Sequence, residues 1–204
     1  MIAIIDYGVG NLFSLEQSFR AIGQQVTVTA DPAVIEKADK LLLPGVGAFG
    51  DAAKKLRDSG LDRVVVEQAQ SGKPLMGICL GMQLLFDESL EYGSHKGLGL
   101  IPGRVIPIAN MIPETLKIPH MGWNGLEIQK ESPLLRHVKN GECVYFVHSF
   151  CAADCEDSVI ATAEYGAHLT AAVQRKNVFG CQFHPEKSGT TGLSILKAFA
   201  EMEG

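Results

Sequence analysis

Apolar and polar positions in the first half of the chain fall into two alternating rhythms. Ile2 to Ile5, Leu41 to Leu43 and Pro74 to Ile78 are continuous apolar runs with the length of buried strands, and Val26 and Val28 alternate with Gln25, Thr27 and Thr29 as a further strand. Between them the spacing is helical. Leu12, Leu15, Phe19 and Ile22 recur on one face, with Asn11 placed to cap the start and Gly23 to stop the end. Asp31-Pro32 opens a short helix, and Asp51 to Ser71 carries one or two helices, broken near Gly60 and ended by Gly72. This β-α-β-α-β-α-β-α order predicts a parallel sheet covered by helices on both faces.

Beyond residue 87 the texture changes. Gly99 to Ile108, Trp123 to Ile128, Cys143 to Phe150, Val159 to Tyr165, Leu169 to Gln174 and Val178 to Phe183 follow one another with turns instead of long helices. They predict antiparallel or mixed strands, with Gly166-Ala167 and Lys176-Asn177 as hairpin turns. Helical spacing returns in Thr190 to Met202 through Leu193, Leu196 and Ala200, with Ile195 and Phe199 widening the apolar face. No internal repeat or low-complexity linker divides the chain, so a single domain over 1–204 is expected.

Composition narrows the function classes. With 46% hydrophobic residues, 20% charged residues and a net charge of -5, the chain reads as a soluble globular protein. Its lysines and arginines are scattered, which argues against a general nucleic-acid binder. The start, MIAIIDYGVG, is too short and lacks the basic residues of a signal peptide, and no later run supplies the roughly 20 apolar residues of a membrane span. Cys79, Cys143, Cys151, Cys155 and Cys181 are odd in number and lack framework spacing, which favours free thiols and a cytoplasmic location.

Candidate chemistry concentrates in three segments. Gly77-Ile78-Cys79-Leu80-Gly81 joins the apolar run from Pro74 to a helix-like segment containing Met82, Gln83, Leu84, Leu85 and Phe86. This is the outline of a nucleophile elbow, with an exposed thiol at a strained tip where a helix start favours thiolate over thiol. In Pro44-Gly45-Val46-Gly47, glycines flanking Val46 let a backbone N–H turn toward a developing oxyanion; a plain strand-to-helix turn explains the same residues. In Gln182-Phe183-His184-Pro185-Glu186, the histidine and glutamate suit a base and the carboxylate that orients it. Gln83, four residues past Cys79, either contacts a polar substrate or packs. Trp123 is either core or an interface anchor. A zinc module built on Cys151, Cys155 and His148 is a further alternative, although no second cysteine pair follows at matching spacing.

Together these segments resemble the class I, triad-type glutamine amidotransferases. Asp6 to Asn11, Pro119 to Asn124 (PHMGWN), Tyr145 to Ser149 (YFVHS) and His184 to Ser188 (HPEKS) are similar, more narrowly, to the glutaminase subunits of imidazole glycerol phosphate synthases. The resemblance covers essentially the whole chain. It implies a three-layer α/β/α fold and hydrolysis of L-glutamine without a cofactor or metal. Cys79 would be the nucleophile, His184 the acid and base, and Glu186 its partner. The N–H groups of Leu80 and of Val46 or Gly47 would hold the oxyanion. Gly45, Gln83, Glu91 and the backbone of Ser149 and Phe150 would grip the substrate, and a carboxylate at Glu91 suits an α-ammonium group. Asn11, Trp123, Tyr145 and Lys187 would face a (β/α)8-barrel cyclase that receives the ammonia in a heterodimer. A glutaminase feeding another synthase, and a catalytically dead homologue, are the competing readings. The family usually has tyrosine where this chain has Phe150, which puts in doubt any role for a hydroxyl there.

Overall fold

The structure, a computed structural model, describes residues 1–202. The first half runs β1 (Ile2–Ile5), α1 (Leu12–Ala21), β2 (Val26–Thr29), α2 (Pro32–Lys37), β3 (Lys40–Leu43), α3 (Phe49–Asp58), α4 (Leu61–Gln70), β4 (Leu75–Ile78) and α5 (Leu80–Leu84). It continues with β5 (Phe86–Ser89), β6 (His95–Lys96), β7 (Ile101–Pro107), β8 (His120–Gly125), β9 (Glu127–Ile128), β10 (Cys143–His148) and β11 (Phe150–Ala153). The last elements are β12 (Val159–Glu164), β13 (His168–Arg175), β14 (Val178–Cys181) and α6 (Gly189–Ala200).

The expected rhythm holds because β1, β3 and β4 are buried on both faces, while β2 at the sheet edge is half-buried. In the eight-stranded sheet, ordered β2-β1-β3-β4-β14-β13-β12-β9, the strands β2, β1, β3, β4 and β14 are parallel and the rest antiparallel. Side chains alternate between faces. Ala3, Ile5, Leu41, Leu43 and Leu75 pack with Leu56 of α3 and Val65 of α4. Ile2, Ile4, Leu42, Met76 and Ile78 pack with Phe19 of α1 and Phe199 of α6. The result is three layers, α/β/α. Asn11 caps α1 through Ser14 N at 3.3 Å, Asp31 caps α2 through Ala33 N at 2.9 Å, and Gly60 separates α3 from α4. Lys176 and Asn177 form the two-residue hairpin between β13 and β14.

Several expectations need correction. The elbow helix is short and Phe86 begins a strand, because the carbonyls a longer helix would use are taken. Leu84 O accepts from Leu98 N at 2.8 Å, Leu85 O from Leu100 N at 2.8 Å, and Phe86 O from Gly99 N at 3.1 Å. The apolar run from Cys143 to Phe150 is two strands in two sheets: β10 pairs with β8 in a two-stranded sheet, and β11 joins a four-stranded sheet ordered β11-β7-β5-β6. Ser149 is the crossing point. Trp123 to Ile128 likewise divides between β8 and β9. The last helix ends at Ala200, before Met202.

Candidate active site

β4 delivers Cys79 to the edge of α5 with φ 54° and ψ -112°, a conformation that glycine favours and cysteine must be held in. Two backbone bonds hold it: Cys79 N donates to Cys181 O at 2.8 Å, and Cys79 O accepts from Gln83 N at 3.2 Å. The turn also demands close backbone approach. A Cβ on Gly81 would lie 1.8 Å from the Leu43 carbonyl oxygen, and one on Gly45 would lie 2.8 Å from Gly81 N. The Pro44 to Gly47 segment therefore rests directly on the elbow. The expected exposed tip is corrected: Cys79 is only 8% exposed and reaches solvent through a cavity of about 380 Å³. Helix α5 spans five residues, so its dipole is small and the main electrostatic partner of the sulfur is a side chain.

That side chain is His184. It follows β14, and its backbone N–H donates to Tyr145 O at 3.0 Å while Ser188 Oγ donates to its carbonyl at 2.6 Å. Its Nδ1 lies 2.8 Å from Glu186 Oε1 and its other edge meets the Cys79 sulfur. Burial alone would lower the ring's affinity for a proton, but the bonds to Cys79 and Glu186 outweigh it and raise His184 to about 9. The ring is thus a strong enough base to take the Cys79 proton. Glu186 is buried behind it, and among the described residues its Oε2 meets no donor, so its charge acts mainly on the imidazole.

Around the sulfur the cavity is lined by Val46, Gly47, Leu80, Gln83, Glu91, Ser149, Phe150 and His184, expected there from the sequence, by Lys187, expected at a partner surface, and by Tyr92, Pro119, Val147 and His148, for which no such role was expected. Gly45 is buried beneath the lining. Gln83 spends its amide N–H groups within the protein, on Phe150 O at 3.1 Å and Gln182 Oε1 at 3.0 Å, and so offers the cavity an acceptor oxygen. Glu91 caps α3, its Oε2 accepting from Phe49 N at 2.7 Å, and keeps a carboxylate at the opposite wall. Phe150 works through its backbone: its carbonyl accepts from Gln83 and His148, while its ring packs edge-on against Tyr92. A tyrosine hydroxyl is not needed for these contacts.

At the cavity wall lies a buried pair, His148 and His120, whose pairing the sequence did not foretell. His148 Nδ1 lies 2.8 Å from the Phe150 carbonyl and its Nε2 lies 2.9 Å from His120 Nδ1, while His120 Nε2 lies 2.9 Å from Asn124 Oδ1. Asn124 is oriented by donating to Glu164 O at 3.0 Å, so both ends of this chain are acceptors. Burial lowers His120 and pulls His148 to about 4. Two neutral rings supply two N–H groups to three contacts, and a third proton would complete the chain.

The zinc alternative fails on geometry. Cys151 faces Met111 Sδ at 3.3 Å, Cys155 faces Thr170 Oγ1 at 4.0 Å, and both ring nitrogens of His148 are engaged. Burial pushes these thiols up to about 12 and about 11. Among the described residues, no group of three or more His, Cys, Asp or Glu is placed to hold a metal.

Of the residues expected at a partner surface, Trp123 is 55% exposed and so is not core. It stands opposite Tyr145 across the β8–β10 ribbon, edge to face at a ring separation of 6.0 Å. Met121 and Ile118 extend this apolar patch and Lys187 is exposed at the cavity, whereas Asn11 uses its side-chain oxygen to cap α1.

The family described as Glutamine amidotransferase class-I matches residues 3–202. The chain is 50% identical to an imidazole glycerol phosphate synthase subunit HisH of Syntrophotalea carbinolica, covering 99% of this chain and 100% of that protein. It is also 50% identical to the protein of the same description from Methanothermobacter thermautotrophicus, covering 99% and 98%. In fold it is similar to a crystal structure of a glutamine amidotransferase, with a TM-score of 0.77 at 19% identity over 98% of each chain. It is likewise similar to PurLQS from Thermotoga maritima, with a TM-score of 0.76 at 20% identity over 98% of this chain and 96% of that one.

Proposed function

The chain belongs to the class-I glutamine amidotransferases, and from that premise we propose that it is the glutaminase half of an imidazole glycerol phosphate synthase, working in histidine biosynthesis. The observation that carries the chemistry is one sulfur on a strained elbow, facing a histidine whose Nδ1 is 2.8 Å from a buried glutamate. L-Glutamine enters the cavity with its α-ammonium at Glu91 and its side-chain amide over Cys79. Cys79 passes its proton to His184 Nε2, the sulfur attacks the amide carbon, and the carbonyl electrons move to oxygen, where N–H groups of Leu80 and of Val46 or Gly47 receive them. When the tetrahedral adduct collapses, His184 gives its Nε2 proton to the departing nitrogen, and ammonia and a γ-glutamyl thioester result. Water then adds to the thioester with His184 as base, which releases glutamate and restores the thiol.

Ammonia formed beneath Lys187 and Pro119 lies close to the exposed Trp123 and Met121, a patch suited to a partner subunit. We place there a (β/α)8-barrel cyclase that consumes the ammonia, and a cytoplasmic location follows from that role. Among the described residues no helix is long and apolar enough to cross a membrane. The assay is glutamate release with and without the imidazole glycerol phosphate cyclase and its nucleotide substrate, alongside labelling by a glutamine-like diazoketone. Labelling of Cys79 and stimulation by the cyclase are expected; no adduct with the partner present, or no response to that cyclase, overturns the assignment.

A further inference from the structure

Gln182 is wholly buried and lies outside the cavity lining, yet its side-chain amide joins two residues of the site. Its Oε1 accepts from Gln83 Nε2 at 3.0 Å, and its Nε2 donates to Cys79 Sγ at 3.7 Å. The polarity of this chain is determined from its far end. The Phe150 carbonyl can only accept, so Gln83 presents its NH2 group there, at 3.1 Å. The same NH2 group reaches Gln182, which must answer with oxygen. The NH2 group of Gln182 is then the one turned to the sulfur.

We propose that Gln182 is a positioning residue for the nucleophile, its amide N–H holding the Cys79 sulfur so that the S–H turns away from Gln182 and toward His184. An N–H aimed at one lone pair of sulfur repels an S–H bond pointing the same way, so the thiol proton is directed away from Gln182, and His184 is the base that bonds the sulfur. Once that proton has moved to His184, the bond from Gln182 becomes charge-assisted and stronger, which favours the attacking form. Gln182 keeps the interaction dry, since the residue has no exposed surface. Gln83 and the Phe150 carbonyl anchor it from behind, so the wall that meets the substrate also sets the aim of the sulfur.

This inference rests on Cys79 being the nucleophile, and its test separates the two. Alkylation of each cysteine by iodoacetamide is followed by peptide mass spectrometry in the full chain, without glutamine, between pH 5 and 9. Two variants are compared. Gln182→Glu keeps an acceptor for Gln83 but removes the donor to sulfur, and Gln182→Met keeps the length and removes both. Both are expected to alkylate at Cys79 about tenfold more slowly at pH 7, with the half-maximal pH displaced upward by about one unit. Cooperative thermal unfolding identifies the variant that has kept the fold, and either variant alone suffices. A folded variant that reacts at the wild-type rate with an unchanged pH profile overturns the proposal. Wild-type Cys79 reacting no faster than the exposed Cys143 overturns the nucleophile assignment itself.

Discussion

The Tyr7 hydroxyl donates to the Pro44 carbonyl at 2.7 Å in the protein interior. This single bond ties the loop after β1 to the segment whose N–H groups are proposed to receive the oxyanion. Burial, and then the neighbouring Cys79, push the Tyr7 hydroxyl upward, so it stays a donor throughout any working pH range. Tyr7→Phe is expected to cost about 1–2 kcal/mol of stability, the usual consequence of removing one partner of a buried hydrogen bond. It should also lower glutaminase kcat roughly threefold to tenfold, as expected for a slight loss of donor alignment. Denaturant unfolding and steady-state kinetics check both, with ammonia-dependent synthesis by the complex unchanged.

The positive φ of Cys79 makes a prediction about stability that is separate from chemistry. Alanine and glycine both remove the sulfur, but only glycine relieves the backbone. Cys79→Gly should therefore be more stable than Cys79→Ala by about 1 kcal/mol, the reverse of their order in a helix. Both should abolish glutamine-dependent synthesis, by at least about a thousandfold, and leave ammonia-dependent synthesis intact. Equal melting temperatures for the two would remove the strained elbow from the account.

Two histidines titrate in opposite directions, and the signs can be read from folding. His148 is near 4 folded against 6.5 unfolded, so the unfolded chain binds the extra proton first. Its contribution is full above pH 6.5 and is lost as pH falls toward 4, on the order of 3 kcal/mol. His184 is raised to about 9, so its contribution is full below pH 6.5 and is lost as pH rises through 9. Urea unfolding at pH 5, 7 and 9 should show highest stability near neutrality. Cys79→Ala removes one of the two groups that hold the proton on His184, and should flatten the alkaline limb while leaving the acid limb in place.

Trp123 stands at the centre of the exposed patch with more than half of its surface free. Trp123→Ala should change stability by no more than about 0.5 kcal/mol. If the patch is the partner surface, the same change should weaken subunit association by tenfold or more, in line with the about 2 kcal/mol of an aromatic anchor. Titration calorimetry with the cyclase subunit measures it, and an unchanged Kd moves the interface elsewhere.

Much of this was legible along the chain. Asn11, Asp31-Pro32, Gly23 and Gly60 act locally, through capping bonds and permitted φ values that involve only their neighbours, and each sits where its chemistry predicts. The Gly-x-Cys-x-Gly pattern was equally readable because its glycines serve one sharp turn. Harder to foresee was the end of α5, where residues 98–101 compete for its carbonyls from more than ten positions away. The split of the Cys143 to Phe150 run at Ser149 was hidden for the same reason: one apolar pattern serves two different sheets. Tyr7, Gln182, His120 and His148 fall within the motif stretches, but no periodic or spacing signal told what each would touch.

By itself the sequence determined the layered α/β order, the caps and the elbow, and it singled out Cys79, His184 and Glu186, the three side chains proposed as the triad. Those properties follow from the period of apolar residues and from the chemistry of single side chains, which need no partner distant in the chain. Only the tertiary structure decided that Cys79 lies sheltered at the floor of a cavity, that Glu91 faces it from the end of α3, and that Gln182 turns an N–H toward its sulfur. Burial and hydrogen-bond direction are properties of groups brought together from separate strands, and no local pattern encodes them.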